Sequence, residues 1–141
     1  MLFRSLANHP IIFCRGFYQA DGYYFQISSG GAFYFITNQA GANQATETAA
    51  GRILVNTWYI LGVTRAGAVV KLYRNGVDVT DISGSHINPK TCTRTPKIGI
   101  YDDKSSNAFN DGLIGEVLAY NRTLNPLEMQ HNDLATKWRC V

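Results

Sequence analysis

The sequence is short of charge and has no concentration of either sign. Its 141 residues carry 13 Lys and Arg against 10 Asp and Glu, a net charge of +3. The basic residues are spread from Arg4 to Arg139 without forming a run. The stripe that tracks a phosphate backbone is missing, so nucleic acid is not an expected partner. No apolar run approaches the ~20 residues that cross a bilayer, so no membrane insertion is expected. Met1 to Pro10 also lacks the roughly 7–15-residue apolar core of a secretory signal. Cysteine is scarce: Cys14, Cys92 and Cys140 are odd in number and far apart. They form no CxxC pair for zinc or thiol redox chemistry, and at most one internal disulfide.

The patterns of catalysis are missing as well. There is no Gly-x-Ser-x-Gly elbow, no P-loop and no His-x-x-x-His pair. His9, His86 and His131 are isolated and read as surface or capping residues. The glutamates are Glu47, Glu116 and Glu128. Glycoside hydrolysis needs two carboxylates facing each other at roughly 5–9.5 Å, and no two of these lie close in sequence. Glu116, placed on a strand, reads as a structural acid, and no enzyme is expected.

What is present is an aromatic, glycine-punctuated chain. Hydrophobic residues make up 45% and aromatic residues 12%, with 13 Gly and only 4 Pro. Such a length suits one domain, 1–141, with a core of its own. Ile11 to Arg15 reads as a strand. Tyr23–Ile27 and Ala32–Thr37 form a hairpin around Ser28-Ser29-Gly30-Gly31. Residues 38–51 show no periodicity and nothing to bury, so a long exposed loop is expected. Strands follow at Trp58–Thr64 and Val69–Arg74, and Asn75-Gly76 is the strongest hairpin signal in the chain. Val77–Thr80, Lys97–Tyr101 and Gly112–Tyr120 complete the strands, the last with a bulge where strict alternation breaks. Asn125-Pro126-Leu127-Glu128 sets out an N-cap, an N1 proline and an N3 glutamate, which predicts a helix over 126–136. The expected class is all-β, a two-sheet antiparallel sandwich with one short C-terminal helix.

These residues resemble the concanavalin A-like, laminin G-like family. The resemblance rests on the Trp58-led strand, the turn at Ala66-Gly67, and Leu72-Tyr73-Arg74-Asn75-Gly76. It continues through Ile98-Gly99 to a closing segment with Phe109, Gly112, Ile114, Glu116, Val117, Tyr120, Asn121, Arg122 and Leu124. The resemblance implies a jelly-roll sandwich and a non-catalytic binding module for carbohydrate or a glycoprotein surface, extracellular or virion-associated. The alternative is a structural module of a larger assembly, of phage or cell-surface fibre type, self-associating through a sheet edge. Relatives usually open with one or two strands before the equivalent of Ile11, so these first strands are expected to be lacking. The edge near Gly112–Tyr120 should then be covered by the N-terminal residues or by another copy, as a homo-oligomer. Some relatives carry two carboxylates on one strand as Glu-x-Asp-x-x-Glu, which this chain lacks.

Two candidate sites remain. By period two, Tyr23, Phe25 and Ile27 share one face of their strand, while Phe33 and Phe35 oppose Tyr34 and Ile36. With the Phe-bearing faces in the core, Tyr24, Gln26 and Tyr34 are left on an exposed face as candidate ligand-binding residues, their rings able to stack on sugars. Asp102, Asp103, Asn107, Asn110 and Asp111 gather oxygen donors in one loop. These suit turns better than calcium, which takes six to eight oxygens, so no cofactor is expected and calcium is the one metal in question.

Overall fold

The computed structural model describes residues 1–4, 6, 9–101 and 111–140. Eleven strands are described: β1 (Leu2–Phe3), β2 (Ile11–Phe17), β3 (Asp21–Ile27), β4 (Phe33–Gln39), β5 (Ala42–Thr48), β6 (Leu61–Ala66), β7 (Val69–Arg74), β8 (Val77–Asp78), β9 (Thr80–Ile82), β10 (Lys97–Ile98) and β11 (Gly112–Leu113). They are followed by helix α1 (Pro126–Thr136) and a 3₁₀ turn at Lys137–Cys140. Every pairing is antiparallel. The large sheet has six strands in the order β10-β2-β3-β4-β5-β9, and a smaller one runs β6-β7-β8. The mostly β, two-sheet architecture with one short C-terminal helix is the one expected.

Alternation along the β3–β4 hairpin builds the core. Ile27, Phe33 and Phe35 turn inward and meet Val70 and Leu72 of the small sheet, with Ile12, Ile53 and Tyr59 beside them. Tyr23 and Phe25 pack against the same cluster. Fully burying each of these large side chains contributes roughly 1.5–3 kcal/mol. The opposite face of the large sheet carries Ile11, Cys14, Tyr24 and Ile36, roofed by Tyr101. Tyr101 meets the Tyr24 ring edge-on at 5.5 Å, and its hydroxyl accepts the Tyr18 N–H at 2.6 Å.

The stretch expected as a loop over 38–51 is largely sheet. β4 continues to Gln39, the chain turns at Ala40-Gly41, and β5 pairs along β4 from Ala42 to Thr48. Its inward Thr46 and Thr48 are polar yet buried, because each has a partner. Thr48 Oγ1 accepts the Phe33 N–H at 2.9 Å. Thr46 Oγ1 meets His86 Nε2 at 2.8 Å, and Thr37 Oγ1 meets His86 Nδ1 at 2.9 Å. His86 is thus a core residue, not a surface or capping one, with only 2% exposure. The hydroxyl of Thr37 also reaches Gln44 Oε1, and the Gly84 N–H donates to Thr46 Oγ1. These bonds fit one direction of donation only: Thr46 gives its proton to Nε2, while Nδ1–H donates to Thr37. Burial first, and Arg65 second, pull the imidazole pKa down to about 4.

The small sheet ends in the hairpin read from sequence. Asn75 and Gly76 sit at φ 50° and 74°, the left-handed pair that a type I′ turn requires. A side chain on Gly76 would run into Gln130 of α1, so the turn also seats the helix. The capping box of α1 is formed: Asn125 Oδ1 accepts the Glu128 N–H at 3.0 Å and Glu128 Oε2 accepts the Asn125 N–H at 2.9 Å. Arg122 grips the same carboxylate at 2.9 and 2.7 Å. That pair and the cap hold the Glu128 carboxyl down at about 2.

The closing segment departs from its expected course. Only Gly112–Leu113 is strand, paired with β1, while Ile114–Tyr120 lies in no strand. The N-terminal residues therefore cover the start of this edge, and Val117, Leu118 and Tyr120 are left 45%, 51% and 48% exposed.

Candidate functional site

Register assembles a row of side chains across the outer face of the large sheet. Gln26 of β3 lies opposite Tyr34 of β4, which lies opposite Glu47 of β5. All three are half-buried. Directly opposed residues share a face with Cβ atoms roughly 4.5–5.5 Å apart, so one aromatic ring is flanked by an amide and a carboxylate. The hydrogen bond to Glu47 is the main cause that raises the Tyr34 pKa, with burial next. The phenol therefore stays protonated at neutral pH and donates. Such a row offers a π-face and several directional polar groups to one ligand.

Tyr24 corrects the expectation of an exposed face. It shares the face and alternation of Gln26, but only 4% of it is exposed, beneath Tyr101. Burial raises its pKa, and Tyr101 adds to the shift. The missed contributor is Glu47, whose strand carried no apolar signal. Its trace in the sequence was the alternation of Gln44, Thr46 and Thr48, a polar period of two.

The other opening is a cleft of about 900 Å³ between the two layers. Its floor is the inner face of the large sheet at Phe13, Tyr23, Phe25 and Phe35, and its walls are Ile60–Arg65 and Gly115–Leu124. The floor rings are in mutual contact, Phe13–Phe25 at 5.7 Å and Phe25–Phe35 at 5.2 Å. Arg139 at the rim pairs with Glu116 at 3.2 Å.

The acids are apart in use as well as in sequence. Glu47 serves the outer row, Glu116 pairs with Arg139, and Glu128 caps α1. Among the described residues no three His, Cys, Asp or Glu side chains gather around a common point fit for a metal. Asp102, Asp103, Asn107 and Asn110 of the calcium expectation lie outside the described residues, and Asp111 is exposed. Among the described residues no helix is long and apolar enough to cross a membrane.

Comparison with known proteins supplies one family and one structural likeness. Residues 4–130 match the family model described as the concanavalin A-like lectin/glucanases superfamily. No curated protein matches the chain. Among solved structures, it is similar to residues 221–444 of an S-layer domain-containing protein from Clostridium thermocellum, with 17% identity and a TM-score of 0.41. The likeness covers 94% of this chain and 66% of that one.

Proposed function

The chain belongs to the concanavalin A-like lectin/glucanases superfamily, and from that premise we propose that it is a non-catalytic binding module for carbohydrate or a glycoprotein surface. The observation that carries this reading is the row Gln26–Tyr34–Glu47 on the outer face of the large sheet. Sugar rings present apolar C–H faces and divergent hydroxyls. An aromatic ring set between an amide and a carboxylate suits both at once. The distribution of the three glutamates supports binding without chemistry, since two are held by arginines and the third serves the row. On this reading Gln26 and Tyr34 contact ligand and Glu47 joins them. Tyr24 supports the sheet from beneath Tyr101.

A glycan array probed with the purified chain, with and without calcium, tests this. Selective binding is expected, insensitive to chelator, and weakened about ten-fold or more in Tyr34→Ala. That loss corresponds to about 1.4 kcal/mol or more. Tyr24→Phe serves as a control that leaves binding in place. An array silent for the folded chain, or binding untouched by Tyr34→Ala and Glu47→Gln, overturns the proposal.

A further inference from the structure

From the outer row of the large sheet we infer that this chain selects glycans that carry free amino groups, as glucosamine units do, and turns away glycans that carry carboxylates. The inference rests on the carbohydrate reading and narrows it to one chemical class of ligand.

The groups of the row divide into those already engaged and those left over. The Tyr34 hydroxyl is engaged twice: it donates to Glu47 and accepts from Ser28. Ser28 has its proton to give, because its oxygen already accepts the Ala32 N–H at 3.0 Å. What Tyr34 has left for a ligand is the face of its ring. Gln26 and Glu47 are in the opposite position. Among the described residues the Gln26 amide has no hydrogen-bonding partner, and no cation pairs with Glu47. The other two glutamates do have one, Arg139 for Glu116 and Arg122 for Glu128. Glu47 is thus a half-buried carboxylate whose one polar side-chain contact is a neutral phenol. On its far side lies Ile82 of β9, directly opposite and exposed. An apolar neighbour keeps water from that flank, and a charge there attracts its opposite more strongly than it would in bulk solvent.

These leftovers set the chemistry of the ligand. A carboxylate offers about four acceptor positions, and the phenol uses one. A group docked at Glu47 must therefore bring donors. Hydroxyls bring donors alone, whereas an ammonium brings three together with the charge that Glu47 lacks. A carboxylate on the ligand would meet Glu47 with no cation to receive it. The chain as a whole carries +3, which opposes a cationic ligand, so selection for one has to come from the row itself. From Gln26 to Glu47 the row crosses two strand spacings, roughly 9.5 Å, a length that two linked pyranose rings span. One ring stacks on Tyr34 with its amine at Glu47, and the next sets its hydroxyls against the Gln26 amide.

The test titrates oligosaccharides of equal length calorimetrically into the whole chain: the glucosamine tetramer, its fully N-acetylated form and the galacturonate tetramer. The glucosamine tetramer is expected to bind about ten-fold or more tightly than the N-acetylated one, and the galacturonate not at all. High salt should shrink that advantage. Glu47→Gln keeps an acceptor for the Tyr34 hydroxyl, so Tm should hold while the advantage falls to about two-fold or less. Spermine, which carries amines without a sugar ring, should bind about ten-fold or more weakly than the glucosamine tetramer. An N-acetylated tetramer that binds as tightly, with both tetramers weakened by Tyr34→Ala, overturns this inference and leaves the carbohydrate reading standing. So does an amine preference that persists in Glu47→Gln, or spermine binding as tight as that of the sugar. Silence toward every glycan on the array fells the carbohydrate reading and this inference with it.

Discussion

The inner face of the large sheet carries two buried patches of opposite chemistry. At one end Phe33, Phe35 and Ile27 pack against Val70 and Leu72. At the other, Thr37, Thr46 and His86 are equally buried, at 0%, 0% and 2% exposure. The first patch is held by apolar area, which is forgiving of direction. The second is held by a chain of bonds running from the Gly84 N–H through Thr46, His86 and Thr37 to Gln44, which works in one protonation state. Phe35 touches both, its ring 5.4 Å from the imidazole. Equal burial therefore conceals unequal sensitivity: one patch responds to volume and the other to protons.

The largest effect should come from volume. Phe35→Ala removes a ring from the junction and is expected to cost about 3–5 kcal/mol, read by urea denaturation. A loss under about 1 kcal/mol would mean that the neighbouring cleft lets the aromatic patch collapse, and the contrast between the patches would weaken.

Acid should produce the next effect, confined to the polar patch. The folded His86 pKa of about 4 lies below its ordinary 6.5. The unfolded chain therefore binds a proton between these values when the folded one does not. Stability is whole above about pH 6.5 and drains as pH falls toward 4, by on the order of 3 kcal/mol. In His86→Leu that part of the pH slope should vanish, whatever the absolute stability. A slope that survives the substitution would place the acid sensitivity elsewhere.

The smallest effect separates shape from hydrogen bonding. Thr46→Val keeps the side-chain outline but leaves Nε2 of His86 and the Gly84 N–H without their partner. About 1–3 kcal/mol should be lost at neutral pH. A neutral outcome in thermal denaturation would show that the polar patch is held by packing, like the aromatic one.

The same contrast explains what the sequence made legible. The β3–β4 hairpin announced itself through apolar alternation, and Asn75-Gly76 through residues that tolerate positive φ. The helix from Pro126 to Thr136 was read from its capping box, because that motif is a local set of bonds. β5 was illegible since its burial depends on His86, forty residues on from Thr46. With β5 illegible as a strand, Glu47 could not be set opposite Tyr34 in the candidate row. Alternation gives the face of Tyr24 but not its burial, since nothing in its own strand reveals that Tyr101 lies over it. The closing segment shows the reverse: an apolar, strand-like run at Ile114–Tyr120 that lies in no strand, because pairing needs a neighbour and β1 reaches only Gly112 and Leu113.

Sequence by itself thus determined the period, the turns, the helix cap and the family, all of which depend on residues near one another or on their order. The tertiary structure alone decided which polar side chains are buried, which face is roofed and how far the closing segment is paired. These are properties of surfaces brought together from distant parts of the chain, where a hydrogen bond or an overlying side chain outweighs any local preference.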